Sequence, residues 1–241
     1  MAPWLCLEPR ALHPHTWGMG EHGSKAGGAQ PDTEVGLKDV RKGAGKAEHA
    51  GQPDEARFAG LTNHLLVAMP SLSDPNFAQT VALVCEHTDR GALGIVLNKP
   101  LPMRLSDVFS QMQITPASEI IAAQPVLRGG PVHTDRGFVL HRPGGHWDHT
   151  HKVSETIQVT TSRDVLAAMA RGEGPADAFI ALGYAGWESG QLEREIRENA
   201  WMSVPVDARV VFELPFGERW TGAWRLLGVN VGQVSLTAGH A

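Results

Sequence analysis

An α+β fold is expected for this chain, on three observations. Two apolar runs in the first half are joined by a short polar turn, amphipathic helical stretches are interleaved with later strands, and residues 178–186 (AFIALGYAG) form one continuous apolar run of strand length. Hairpins dominate the first half, which argues against a doubly wound parallel sheet.

The elements follow in chain order from residue 59. LLVAMP (Leu65–Pro70) is a short apolar strand, and SLSDPNF carries the Asp74-Pro75 turn signal. QTVALVCEH and GALGIVLNK flank Thr88-Asp89-Arg90 as an antiparallel hairpin, with Pro100 and Pro102 expected to stop the second strand. Leu105, Val108, Phe109 and Met112 recur at helical spacing, with Ser106 near the helix start. PVLRGGPV bends at Gly-Gly-Pro, and GFVLHR (Gly137–Arg142) is the next strand. HRPGGHWDHTH reads as a polar loop. TIQVTTS is a strand that hands over, through Thr161 or Ser162 as N-cap, to the helix RDVLAAMARG, which ends at Gly172 as C′.

AFIALGYAG, covered on both faces, is expected to lie centrally and to enter GYAGWESGQLEREIRENAW (Gly183–Trp201), read as a strand end, a glycine-rich turn and a charged helix. In that helix Leu192 and Ile196 face inward, while Glu193 and Arg197 form an i,i+4 pair on a solvated face. ARVVFEL is read as a strand. A helix from Glu218 follows, with Trp220, Trp224 and Leu227 on one face, and GQVSLTAGHA closes the chain.

Residues 1–58 differ in kind. They are rich in Gly, Ala, His, Pro and Lys and carry too little apolar surface to offset the cost of ordering a backbone. They are expected to form a disordered extension ahead of a single domain at 59–241. Met19 is an internal candidate for the true start, which the intact mass of the native protein would decide.

Composition narrows the function. Hydrophobic residues make up 42% of the 241, enough for a sizeable core, and no run approaches the ~18 apolar residues of a membrane helix. The formal charge of −5 and the lack of a basic stripe count against direct nucleic-acid binding. MAPWLCLEPR has no basic segment followed by an apolar one, so no secretory signal is read and a cytoplasmic location is expected. The two cysteines, Cys6 and Cys85, fall in the extension and in an apolar run, so neither a disulfide nor a reactive thiol is expected.

Motifs that carry chemistry are sparse. GYAGWESG joins strand to helix as anion-binding turns do, yet it lacks both the Lys-Ser/Thr of a P-loop and the G-x-G-x-x-G spacing. A tight turn with Trp187 packed beside it is the simpler reading. His141, His146, Asp148, His149 and His151 are the densest metal-capable set, but their spacing matches no zinc motif, and a solvated loop is preferred. No G-x-S-x-G elbow is present. Glu86-His87 could supply an acid and a base, although neighbours on a strand point to opposite faces. No metal and no cofactor is expected.

Six segments in order, AMPSLSDPNFAQTVALVCEH, GALGIVLNKP, LRGGPV, GFVLH, GYAGWESGQLEREIRENAW and Arg219-Trp220, resemble the AlgH/YqgE-like family of bacterial proteins from about Leu61 to Ala241. The resemblance implies a strongly bent, largely antiparallel, barrel-like sheet with helices packed outside. One branch of that family is named as a regulator of alginate production, and transcriptional regulation has spread as a label from it. No helix-turn-helix or basic recognition helix supports that label here. The histidine loop falls between the family motifs, and the long N-terminal extension departs from the family pattern.

The family-like positions at strand ends and turns, Glu86, Asn98, Arg128, Gly129, Gly130, Trp187 and Gln191, are the candidate ligand-binding residues; no catalytic residue is assigned. The expected function is a non-enzymatic binding or regulatory module acting on a protein partner or a small ligand. A hydrolase-type enzyme using Glu86, His87 or Gln191 beside the glycine turn is the alternative, and direct transcriptional control is the third reading.

Overall fold

In the computed structural model, which describes residues 59–229, the chain folds as a curled, largely antiparallel half-barrel. The tail readings at 1–58, including Cys6 and the candidate start at Met19, and the closing segment GQVSLTAGHA lie outside the described residues. Ten strands lie among the described residues: β1 (His64–Ala68), β2 (Val81–Thr88), β3 (Gly91–Val96), β4 (Pro100–Arg104), β5 (Pro125–Arg128), β6 (Val132–His141), β7 (Thr150–Lys152), β8 (Gln158–Thr160), β9 (Phe179–Glu188) and β10 (Trp201–Pro205). The continuous path runs β10-β1-β2-β3-β9-β6-β8-β7, with β4 and β5 branching from it. Among the described residues there are also six α-helices: α1 (Leu105–Gln111), α2 (Glu119–Ala122), α3 (Arg163–Arg171), α4 (Gln191–Arg197), α5 (Ala208–Phe212) and α6 (Arg219–Leu226). No helix among the described residues is long and apolar enough to cross a membrane.

β9 is the central strand, as its unbroken apolar run required. One edge pairs with β6; the other pairs in parallel with β5 over Ile180–Leu182 and then antiparallel with β3 over Ala185–Glu188. The change of partner happens at Gly183, whose φ of 75° places it in the left-handed region. Gly129 and Gly130 fill the junction, so the glycines serve a close approach of backbones within the sheet. The expected glycine-rich turn after β9 is therefore corrected: Gly183 and Gly186 lie inside the strand, and the chain turns only at Ser189-Gly190.

The inward face of the curl carries Leu65, Leu83, Phe138, Leu140 and Ala181, joined by Val211 of α5 and Trp224 of α6. α4 covers one outer patch through Leu192, beside Trp187 and Trp201. α1 and α3 cover another through Phe109, Val165 and Met169, against Val126, Val139 and Ile180. At the sheet's far end, His151 of β7 reaches the carbonyl of Cys85 on β2 at 3.2 Å, tightening the curl without a strand pair.

Three other local readings differ from the structure. ARVVFEL is helix α5, because Asp207 caps it by accepting the Arg209 N–H at 2.8 Å; the strand sits earlier, at β10. β3 ends at Val96, ahead of Pro100 as expected, but Pro100 and Pro102 themselves lie within a further strand, β4, an edge strand where a missing N–H costs no ladder bond. The strand read at Gly137–Arg142 begins at Val132, with its pairing to β9 broken between Val132 and Gly137. Other expectations are met: the β2–β3 hairpin, the α1 face with Leu105 and Phe109 buried, Ser162 as the α3 N-cap, and Gly172 as its left-handed C-terminal residue.

Candidate functional site

Glu195 organises the corner that contains Trp187 and Gln191. One carboxylate oxygen accepts the indole N–H of Trp187 at 3.0 Å and of Trp201 at 2.9 Å; the other accepts the Gln191 amide at 2.8 Å. The two indoles are only 3% and 2% exposed and meet edge-to-face, with Phe77 against both. Gln191 also caps the turn by accepting the Glu188 N–H at 2.9 Å. Trp187 and Gln191 are thus brought together, by a residue that sequence reasoning missed. Its signal was present: Gln191 and Glu195 are i,i+4 on α4 and share a face.

Glu193 sits on the opposite side of the same helix. Its carboxylate lies 2.8 Å from Nε2 of the buried His87, not on a solvated face with Arg197, which corrects the expected pair. Glu86, next to His87, stands past a bulge in β2 opposite Leu93, and its side chain makes no hydrogen bond or ion pair among the described residues. His87 and Gln191 therefore serve two different carboxylates on two faces of α4.

Asn98 is buried and works as a brace. Its side-chain oxygen accepts the Val81 N–H at 3.0 Å and its amide donates to Gln79 at 2.8 Å. Gly129 donates to the Leu182 carbonyl at 2.7 Å and accepts from Val96 at 2.8 Å, bridging β9 and β3. A Cβ on Gly129 would lie 2.2 Å from the Gly183 carbonyl oxygen, and one on Gly130 would lie 2.0 Å from the Tyr184 carbonyl carbon. Arg128 ends β5 with an exposed side chain opposite Leu182. The seven candidates occupy separate places: the α4 corner, the β5–β9 junction, the Asn98 brace and the β2 bulge.

The histidine loop divides as well. His141 is fully buried on β6, not part of a polar loop, and its two ring nitrogens lie 2.8 Å from the Arg142 carbonyl and 2.8 Å from the Thr160 hydroxyl. Burial lowers its pKa below the usual value of 6.5, partly opposed by the carbonyl contact. His146 and His149 are exposed, and Thr150 and His151 belong to β7. Among the described residues no group of three or more His, Cys, Asp or Glu is placed to hold a metal ion. Cys85 is wholly buried, and burial, helped by the negative charge of Glu86, pushes its thiol pKa well up.

An open groove lies elsewhere, between α1, α3 and the outer face of β6 and β9. It encloses about 360 Å³, at the lower end of the ~300–1,000 Å³ typical of small-molecule sites. Met103, Met112, Leu166 and Leu182 make apolar walls, with Gly137 in its lining. The broken β6 pairing sets Thr134 and Asp135 on its rim, facing Thr161 and Ser162 at the start of α3. Among the described residues Asp135 is the only ionisable one lining it. None of the seven candidates borders this groove. Its apolar side chains read in the sequence as core, and only a glycine inside a strand marked the place.

A family model described as AlgH-like matches residues 65–232. A UPF0301 protein of Thioalkalivibrio sulfidiphilus is 53% identical over 184 residues, covering 76% of this chain and 98% of that protein. Another, from Methylococcus capsulatus, is 52% identical over 186 residues, with 77% and 98% covered. The solution structure of the AlgH protein from Pseudomonas aeruginosa superposes with a TM-score of 0.63 at 42% identity, covering 80% of this chain and all of that one. A crystal structure from Corynebacterium diphtheriae, 19% identical with a TM-score of 0.55 over 72% of this chain and 94% of that one, shares the fold.

Proposed function

The chain belongs to the AlgH-like family, and from that premise we propose that it is a non-enzymatic binding module of the cytoplasm, whose ligand seats in the groove between α1, α3 and the sheet. The observation that carries this reading is the groove's chemistry. Its walls are apolar, its rim is hydroxyl-bearing, and among the described residues Asp135 is the only ionisable one lining it. Hydrolysis by general acid–base action needs at least two positioned proton-transfer groups around one reacting atom. The side chains that could have served are engaged apart from each other, His87 with Glu193 and Gln191 with Glu195. An apolar cleft with a few convergent polar groups is the usual form of a ligand site.

Gly137 provides the test. A Cβ there would meet nothing closer than the Leu182 side chain at 3.9 Å, so Gly137→Val fits the strand and projects into the groove. Screening a metabolite collection by thermal shift, with a pull-down alongside, is expected to find ligands whose stabilisation disappears in Gly137→Val while that variant's own melting temperature stays at or above that of the parent chain. A screen and pull-down that find nothing, or ligands whose binding ignores the substitution, would remove the groove as the site.

A further inference from the structure

Asp135 is an exposed carboxylate on this groove. Its side chain makes no hydrogen bond or ion pair among the described residues, and neither do the hydroxyls of Thr134 and Thr161 beside it. The neighbouring cations make no ion pair with it: Arg136 lies over the Phe138 ring at 5.5 Å, and Arg163 donates to the Met112 carbonyl at 3.2 Å, each keeping its charge. Asp164, at the head of α3, already accepts the backbone N–H groups of Asp148 and Val165. The rim therefore offers hydroxyls, which both donate and accept, and one carboxylate without an ion-pair partner, beside walls that reject charge.

We infer that the groove selects small amphiphilic amines, with the alkyl or aryl body against Met103, Met112 and Leu182 and the ammonium at Asp135 and Thr134. The inference rests on the binding-module reading and adds the ligand class to it. The fit is one of charge and size: an ammonium brings only donors, which the Asp135 carboxylate and the Thr134 hydroxyl oxygen can accept. A volume near 360 Å³ suits one small molecule and not a docked helix, whose diameter with side chains is about 10 Å or more. The walls that reject charge keep the head at the rim while the body goes in. Two methionines in the wall suit a range of apolar bodies, because the thioether chain is adaptable.

Three probes of one length separate the possibilities: n-hexylammonium, n-hexanol and hexanoate, each titrated into the isotope-labelled full chain and followed by two-dimensional amide NMR. The expected result is shifts confined to groove residues, with hexylammonium about three- to fivefold tighter than hexanol, as befits an exposed ion pair, and hexanoate weakest. Asp135→Asn should bring hexylammonium level with hexanol, and raised salt should do the same to the parent chain. Hexanol and hexylammonium binding equally in the parent chain would overturn the amine preference and leave the binding groove standing. No shift at the groove with any probe would overturn both. Asp135 lies on an exposed rim, so its substitution leaves the core intact.

Discussion

Glu195 holds two indole N–H groups and a glutamine amide with one carboxylate. Removing it leaves two buried donors unpaired, each worth about 1–3 kcal/mol when unsatisfied. Glu195→Ala is expected to lower stability by about 2–4 kcal/mol, read by urea unfolding with tryptophan fluorescence, while Glu195→Gln keeps an acceptor oxygen and loses less. A Glu195→Ala midpoint equal to that of the parent chain would show that the corner does not depend on this residue. Trp187 and Gln191 stood out in the sequence as family-like positions at a strand end and a turn. Glu195 did not, since a glutamate on a charged helix reads as solvated until a tryptophan is known to lie beneath it.

Among the elements, β9 shows how a strand is bent by what must pass it. Gly130 lies so close to the Tyr184–Ala185 peptide that a methyl group would sit 2.0–2.3 Å from its atoms. Gly130→Ala is therefore expected to cost more than about 4 kcal/mol, in the range reserved for backbone collisions. Gly186→Ala, whose Cβ would first meet the Tyr184 ring at 3.4 Å, should stay within about 1 kcal/mol. Comparing chemical denaturation of the two variants checks this, and equal loss in both would refute the crowding account. The type of most elements was legible: the β2–β3 hairpin, the α1 and α3 faces, and β9 itself all follow from periodicity. ARVVFEL misled because a short β-branched apolar run suits strand or helix alike, and only Asp207 at its head decided for α5.

At the scale of the molecule, charge and topology bear on what the protein meets. The formal charge is −5, and affinity for DNA rests chiefly on cationic contacts with phosphate. No retarded band is expected with duplex DNA at low salt in a gel-shift assay, and a band would reopen the regulatory label carried by the family's name. The groove joins Met103, Asp135, Leu166 and Leu182, residues spread over β4, β6, α3 and β9, and no local pattern could have announced it. By itself the sequence determined the family, the α+β class and the central place of β9, because apolar periodicity and an ordered set of motifs are properties of neighbouring residues. Only the tertiary structure decided that the glycines of GYAG lie within a strand, that Glu193 meets His87, and that a groove opens beside the broken β6 pairing. Each of those depends on which distant backbone or side chain comes to lie alongside, and local chemistry does not encode that.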